Sequence, residues 1–271
     1  MTPTDEHTDN DIAAISDKLL AARTSCTGLP GFPGALPQTL ETAYKIQELS
    51  MSKWDDKVIG WKIGGIPPHL QEQLQDVRLC GPIYEKSVKR SDGTNHLLMP
   101  VFKDGYSAFE AEFIIELGDT SALPATGLTL EQVKSVVTRI FIGFEMASSP
   151  IQDVNAIGST AVISDFGINS GIIIGAEVTN WRDIDISSVD VTVNIDGTQF
   201  GPTKPKPDLE GPFGAVKFLI EHLKKRGTDM PVGTLASTGA ITGVHDSGAG
   251  AKADITFDGL GKLSLELVPN K

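Results

Sequence analysis

Apolar residues recur along this chain with two periods, and the period changes near residue 95. In the front part the spacing is helical. Ile12, Ile15, Leu19 and Leu20 form one stripe, with Asp9 or Asn10 placed to cap the helix they predict. Residues 28–34, rich in glycine and proline, read as a connector. Leu40, Ala43, Tyr44, Ile46 and Met51 then repeat the helical pattern behind Thr39. Val58 to Gly64 reads as a short strand, and residues 67–77, opening with Pro67-Pro68, as a brief helix.

Behind residue 95 the alternation is that of strands. His96–Pro100, Phe109–Leu117, Arg139–Ala147 and Ile172–Gly175 are predicted strands, with a short helix starting at Thr129. Asp196-Gly197 between Val189–Ile195 and Thr198–Phe200 signals a hairpin, because that dipeptide supplies the positive φ of a tight turn. Gly211 to Arg226 predicts an amphipathic helix closed by Gly227. Ala253, Ile255 and Phe257 alternate into Asp258-Gly259, and Leu263, Leu265 and Leu267 alternate back. The pattern divides the chain into a disordered tail (1–10), a mixed α/β part (11–94) and a β-rich part (95–271), an α+β architecture.

Within two of these strands the polarity pattern breaks. Glu110 and Glu112 stand two apart in Phe109–Leu117, so they face the same way, about 7 Å apart along the strand. Glu116 shares that face beyond Ile114. Glu145 is set among large hydrophobes in the 139–147 run. Carboxylates on an apolar strand need solvent, a basic partner or a cation. Three of them in one cup would suit Mg²⁺, Mn²⁺ or Ca²⁺ rather than zinc. A wetted face whose acids pair with lysine or arginine fits the spacing as well.

Charge narrows the partners. Lys and Arg number 23 against 35 Asp and Glu, a formal charge of −12, and no basic cluster exceeds Lys224-Lys225-Arg226. Nucleic acid is an improbable partner for such a surface. Cys26 and Cys80 form no disulfide framework and no CxxC pair. The polar, acidic start shows no signal peptide, and no apolar run is long enough to span a bilayer. A reduced, cytoplasmic setting is therefore expected.

Other candidates are weaker. Lys62 lies in Gly60-Trp61-Lys62-Ile63-Gly64-Gly65, where small residues admit a ligand closely and the lysine supplies a cation. A surface lysine after a strand is the alternative. Ser164–Gly171 and Leu235–Ala240 bring hydroxyls to strand ends, where they line a pocket or form ordinary turns. His69 and Glu72 share one side of the short helix, the arrangement of a water-activating pair or of a solvated one. There is no GxSxG elbow, no P-loop and no GxGxxG after a strand, so serine hydrolase, NTPase and dinucleotide readings lack support.

Taken in order, these segments resemble the fumarylacetoacetate hydrolase superfamily, in its 2-keto-4-pentenoate hydratase and 4-oxalocrotonate decarboxylase branch. The resemblance runs from about Thr39 to Val268. It rests on Gly60–Gly64, Glu110-x-Glu112 with Glu145 behind it, Asn169-Ser170-Gly171, Ser237–Ala240 and the Asp258-Gly259 hairpin. It implies a β-rich roll holding Mg²⁺ or Mn²⁺ on Glu110, Glu112 and Glu145, with Lys62 catalytic and Ser170 and Thr238 binding substrate. It further implies a 2-oxo acid substrate, a hydratase acting on a compound such as 2-hydroxypenta-2,4-dienoate in aromatic-type catabolism, and a homo-oligomer built from dimers. A C–C hydrolase of acylpyruvates, a 2-oxo acid decarboxylase and a metal-stabilised scaffold for a decarboxylase partner are the alternatives. The chain departs from the branch at Ser148-Ser149-Pro150, where hydratases usually carry an acid and an arginine. His69-x-x-Glu72 resembles the water-activating pair of the hydrolase branch.

Overall fold

The computed structural model describes residues 5–206 and 209–270. Two helices open the chain, α1 (Asp9–Ser25) and α2 (Leu40–Lys53), packed on each other. Thr8, not Asp9 or Asn10, caps α1. Its hydroxyl accepts from the Asp11 amide, and the Asp11 carboxylate accepts from the Thr8 backbone N–H at 2.9 Å. Residues 5–10 therefore correct the disordered-tail expectation. Asp5 accepts from the backbone of Gln38, and the cap and first turn of α1 take the rest; residues 1–4 lie outside the described residues.

Eight strands form one sheet in the order β2 (Arg78–Tyr84), β1 (Val58–Gly65), β10 (Leu235–Ser237), β5 (Tyr106–Leu117), β6 (Val137–Ser149), β7 (Asn169–Glu177) and β3 (Val88–Arg90), with β11 (His245–Asp246) also on β5. Strands from either side of residue 94 thus share one sheet. The second sheet runs β4 (His96–Val101), β13 (Gly261–Pro269), β12 (Lys252–Phe257), β8 (Val191–Ile195) and β9 (Thr198–Thr203). Its inner face packs on the first, with the Phe113 and Phe257 rings 5.2 Å apart. Helices α3 (Pro68–Leu74), α4 (Leu130–Val136), α5 (Val154–Ile157), α6 (Ser159–Ser164) and α7 (Gly211–Arg226) complete the chain.

The centre of the first sheet is the antiparallel β5–β6 pair, buried on both faces over most of its length. This explains why Phe109–Leu117 reads as nearly continuous apolar sequence rather than a clean alternation. Gly143 on β6 stands opposite Glu112, and a Cβ there would meet the Ile114 side chain at 2.3 Å. The missing side chain lets the strands close over the acids.

Candidate metal centre

Register sets the site. Glu110 on β5 is paired directly with Glu145 on β6, and Glu112 lies two residues on along the same face. Like charges directly opposite one another destabilise a strand pair. One carboxylate oxygen from each of Glu110, Glu112 and Glu145 lies within 4.8 Å of the others. Glu112 and Glu145 are fully buried and Glu110 is 6 % exposed. Glu116, further along β5, leaves this group. It accepts from the Thr138 hydroxyl at 3.0 Å and sits 3.9 Å from the Arg139 guanidinium.

The protein partners of the cluster are few and one-sided. Glu112 Oε2 accepts from the Ser237 hydroxyl at 2.5 Å and the Gly239 amide at 2.9 Å. Glu145 Oε1 accepts from the Asn169 side-chain amide at 3.0 Å, with Lys62 Nζ at 3.5 Å. Glu112 Oε1 and Glu145 Oε2 have no hydrogen-bond partner among the described residues. Three ionised carboxylates against one ammonium would leave two negative charges uncompensated in a buried site, and Glu110 and Glu112 answer by holding their protons. Burial pushes the Glu110 carboxyl up to about 7, opposed by Lys62 and reinforced by Glu145. Burial, with Glu145 and Glu110 beside it, raises Glu112 far above the usual carboxylate range. Burial works against charge on Lys62, but the three carboxylates outweigh it, Glu145 foremost, and hold the lysine above its ordinary value.

Lys62 reaches the cluster because β1 pairs in parallel with β10, Lys62 opposite Ser237, so both point at the acids. A cavity of about 390 Å³ opens beside them, lined by Lys62, Glu110, Asn155, Ser159, Ile168 and Lys206 among others. The orphaned oxygens and the all-carboxylate donor set together fit a hard divalent cation.

The other expected site residues fall elsewhere. Thr238 is buried with its hydroxyl donated to the Phe113 carbonyl at 3.0 Å, and it lines an adjoining cavity of about 110 Å³. Ser170 lines a third cavity, on the far side of the 165–170 segment. His69 and Glu72 are both exposed on α3, with no hydrogen bond or ion pair between them among the described residues, as a solvated pair would be. The sequence reading missed Asn155, Ser159 and Lys206, which have no motif around them. It also missed Arg23. At Ser148-Ser149, where the chain departs from the resemblance, an arginine and an acid arrive from other segments. Arg23 of α1 grips Asp165 through Nε at 2.6 Å and Nη2 at 2.9 Å, and the Ser149 hydroxyl donates to the same carboxylate at 2.6 Å.

No protein-family profile matches the chain. A 2-keto-4-pentenoate hydratase of Burkholderia vietnamiensis (strain G4 / LMG 22486) is 26 % identical over 260 residues, 94 % of this chain and 97 % of the relative. A 4-oxalocrotonate decarboxylase of Pseudomonas sp. (strain CF600) is 22 % identical, covering 96 % of this chain and 98 % of its own length. Among solved structures, the 4-oxalocrotonate decarboxylase of Pseudomonas putida G7, complexed with calcium and acetate, superposes with a TM-score of 0.78 at 18 % identity, covering 98 % of this chain and 100 % of that one. Fumarylpyruvate hydrolase of Pseudomonas aeruginosa, with Mn²⁺ and pyruvate, gives 0.54 at 18 % identity over 78 % of this chain and 89 % of its own. The chain is similar in sequence along nearly its whole length to 2-keto-4-pentenoate hydratases and 4-oxalocrotonate decarboxylases, and it shares its fold with 4-oxalocrotonate decarboxylase and fumarylpyruvate hydrolase.

Proposed function

We propose that this chain is a Mg²⁺- or Mn²⁺-dependent hydratase that adds water to a 2-hydroxy-dienoic acid of the 2-hydroxypenta-2,4-dienoate type. The observation that carries the reading is the buried Glu110, Glu112 and Glu145 cluster, with one partnerless oxygen on each of Glu112 and Glu145 and a single ammonium beside it. The three glutamates would hold the cation. When bound, it supplies a Lewis acid for the keto and carboxylate oxygens of a 2-oxo acid.

The chain's own residues do the rest. With no cation on the glutamates, those carboxylates hold the Lys62 ammonium above its ordinary value, and it stands beside Glu145 as a positive charge facing the site. Only 4 % exposed, it stands where water screens it little, and negative charge developing on the substrate's enol oxygen is attracted to it. Asn169 and Ser237 each tie down one oxygen of a glutamate, fixing the carboxylates' orientation. Asn155 and Ser159 offer uncharged hydrogen-bonding groups in the cavity wall for the substrate's remaining length.

The test is turnover of 2-hydroxypenta-2,4-dienoate with Mg²⁺, with and without EDTA, with the products identified. Metal-dependent formation of a 4-hydroxy-2-oxo acid is expected, and a full rate in EDTA would refute the reading. Lys62→Ala should lower kcat by at least about 100-fold with little change in Mg²⁺ affinity, on the scale of losing one preorganised charge-stabilising group. A second reading, decarboxylation of a dicarboxylic 2-oxo acid, is favoured by Lys206 in the cavity wall, a second cation for a second carboxylate. Carbon dioxide release from such a substrate, without hydration of the dienoate, would select it.

A further inference from the structure

A second cavity, of about 510 Å³, lies across the 165–170 segment from the carboxylate cavity; the two have no lining residue in common, and Asn169, which donates to Glu145, stands in the wall of the second. Its size is that of a small-molecule site. Trp54, Tyr84 and Phe166 form one aromatic wall, with ring centroids 6.1 Å (Trp54–Tyr84), 5.8 Å (Trp54–Phe166) and 5.2 Å (Tyr84–Phe166) apart. Arg23 lies between the Phe102 and Phe166 rings, its guanidinium carbon 5.5 Å and 5.1 Å from their centroids. The rings are inclined to one another by 47–68°, and Trp54 is the least buried of the three, so a flat, conjugated molecule stacks on Trp54 with the other two rings at its side.

The polar groups point to an anion. Four cations and two acids line the cavity. Asp56 is committed to the Lys57 and Lys86 backbone amides, while Asp55 is fully exposed, 3.9 Å from the Lys86 ammonium at the rim. Lys53 is paired with Asp17 at 2.6 Å and Arg23 with Asp165. Lys89 is different. Its ammonium donates to the Leu98 carbonyl and has no carboxylate within ion-pair distance among the described residues. Tyr84, only 7 % exposed, carries a hydroxyl with no partner among the described residues, although it borders a cavity. A buried O–H donor without an acceptor is the exception in folded proteins and calls for one. Lys89 supplies a charge in the cavity wall that a carboxylate satisfies.

We infer that this cavity is a second binding site, for a planar conjugated monocarboxylate stacked on Trp54 with its carboxylate toward Lys89. The wall between the two cavities supports a built feature. Phe166, Gly167 and Ile168 all have positive φ, of 57°, 63° and 57°, a left-handed turn that a β-branched residue such as Ile168 rarely adopts. The turn sends Phe166 into the aromatic cavity and Ile168 into the carboxylate cavity.

The experiment is calorimetric titration of the full chain with trans-cinnamate, Mg²⁺ and saturating oxalate being present to fill the carboxylate site. One cinnamate per chain is expected, with a Kd of about 1 mM or tighter, the scale of a small ligand with one ionic contact. The Kd should be the same in EDTA without oxalate and in the Glu110→Ala variant. Trp54→Ala should weaken it at least tenfold and Lys89→Gln several-fold, both variants keeping wild-type Mg²⁺ binding as proof of folding. Competition between cinnamate and oxalate would overturn the inference by placing the ligand at the carboxylate site. Absence of binding, a Kd indifferent to both substitutions, or equal affinity for the puckered cyclohexanecarboxylate would also overturn it. None of these outcomes depends on which reaction the carboxylate site catalyses.

Discussion

Glu112 shows how far this chain departs from what stability alone would select. Its carboxyl is fully buried, one oxygen is satisfied twice and the other not at all. Glutamine at this position would keep an acceptor for Ser237 and the Gly239 amide, and it carries no charge, like the carboxyl that burial and its acidic neighbours keep protonated. Glu112→Gln is therefore expected to leave the metal-free chain at least as stable as it is, since an amide never brings the cost of ionising a buried carboxyl. It should at the same time weaken Mg²⁺ binding at least tenfold. Thermal unfolding and Mg²⁺ titration of the same preparation check both, and a variant that loses stability without metal would contradict the argument. His222 is the matching case for a base. Its ring packs on Tyr44 at 4.6 Å and Phe218 at 5.2 Å, and Nε2 has no partner. Burial, helped by Arg226 and Lys225, pushes its pKa down to about 4. Between the unfolded value of about 6.5 and this value the unfolded chain binds the extra proton, so stability rises with pH across that window. Acidification from pH 7 to 4 should thus cost on the order of 3 kcal/mol through this one group. His222→Leu should flatten that part of the stability profile, and an unchanged slope would show that His222 is not its source.

At the scale of elements, the left-handed turn 166–168 carries the most consequence. Gly167 sits at φ 63°, and a Cβ there would lie 3.0 Å from Gly81 Cα and 3.1 Å from Lys62 Cδ. Gly259, at φ 69° with nothing within 4 Å, shares the conformational requirement without the crowding. Each alanine substitution should cost about 1 kcal/mol for its backbone. Gly167→Ala should cost more and also lower kcat by displacing Lys62, whereas Gly259→Ala leaves kcat alone; equal kcat effects would disconnect the turn from the site. The long elements were legible in the sequence because their apolar periods are long, as in Phe109–Leu117 and Gly211–Arg226. The short strands β2 and β3 were not, since β2 is buried along its whole length and shows no alternation and β3 has three residues only. Ser170 and Thr238, expected to bind substrate, stand next to Asn169 and Ser237, which hold Glu145 and Glu112 and were not singled out. In a strand a shift of one residue changes the face, and nothing in Asn169-Ser170-Gly171 or Ser237-Thr238 alone says which face the partner strand will bury. Lys62, Glu110, Glu112 and Glu145 escaped this ambiguity because their charge breaks an apolar pattern.

At the scale of the whole molecule, the parts before and after residue 94 are bound by groups that neither can leave unpaired. The first sheet threads β1 between β2 and β10, so a fragment of residues 95–271 would expose the edge of β10 along Gly60↔Leu235 to Lys62↔Ser237. It would also lose Arg23, leaving the 1 % exposed Asp165 without its bidentate partner. Breaking a buried pair by removing one member costs about 3–5 kcal/mol. Loss of Lys62 would strip from the three glutamates the one ammonium that pairs with them among the described residues. These penalties add to the apolar surface uncovered where α1 and α2 pack, and together they rival the total stability of an ordinary domain of about 5–15 kcal/mol. The fragment is therefore expected to lack a cooperative unfolding transition, while the full chain melts in one step that Mg²⁺ moves upward through binding to the folded state. Circular dichroism melting of both, with and without Mg²⁺, distinguishes the cases. A sharp fragment transition near that of the full chain would mean that the glutamate cluster tolerates its charge without Lys62 and that the two parts fold independently.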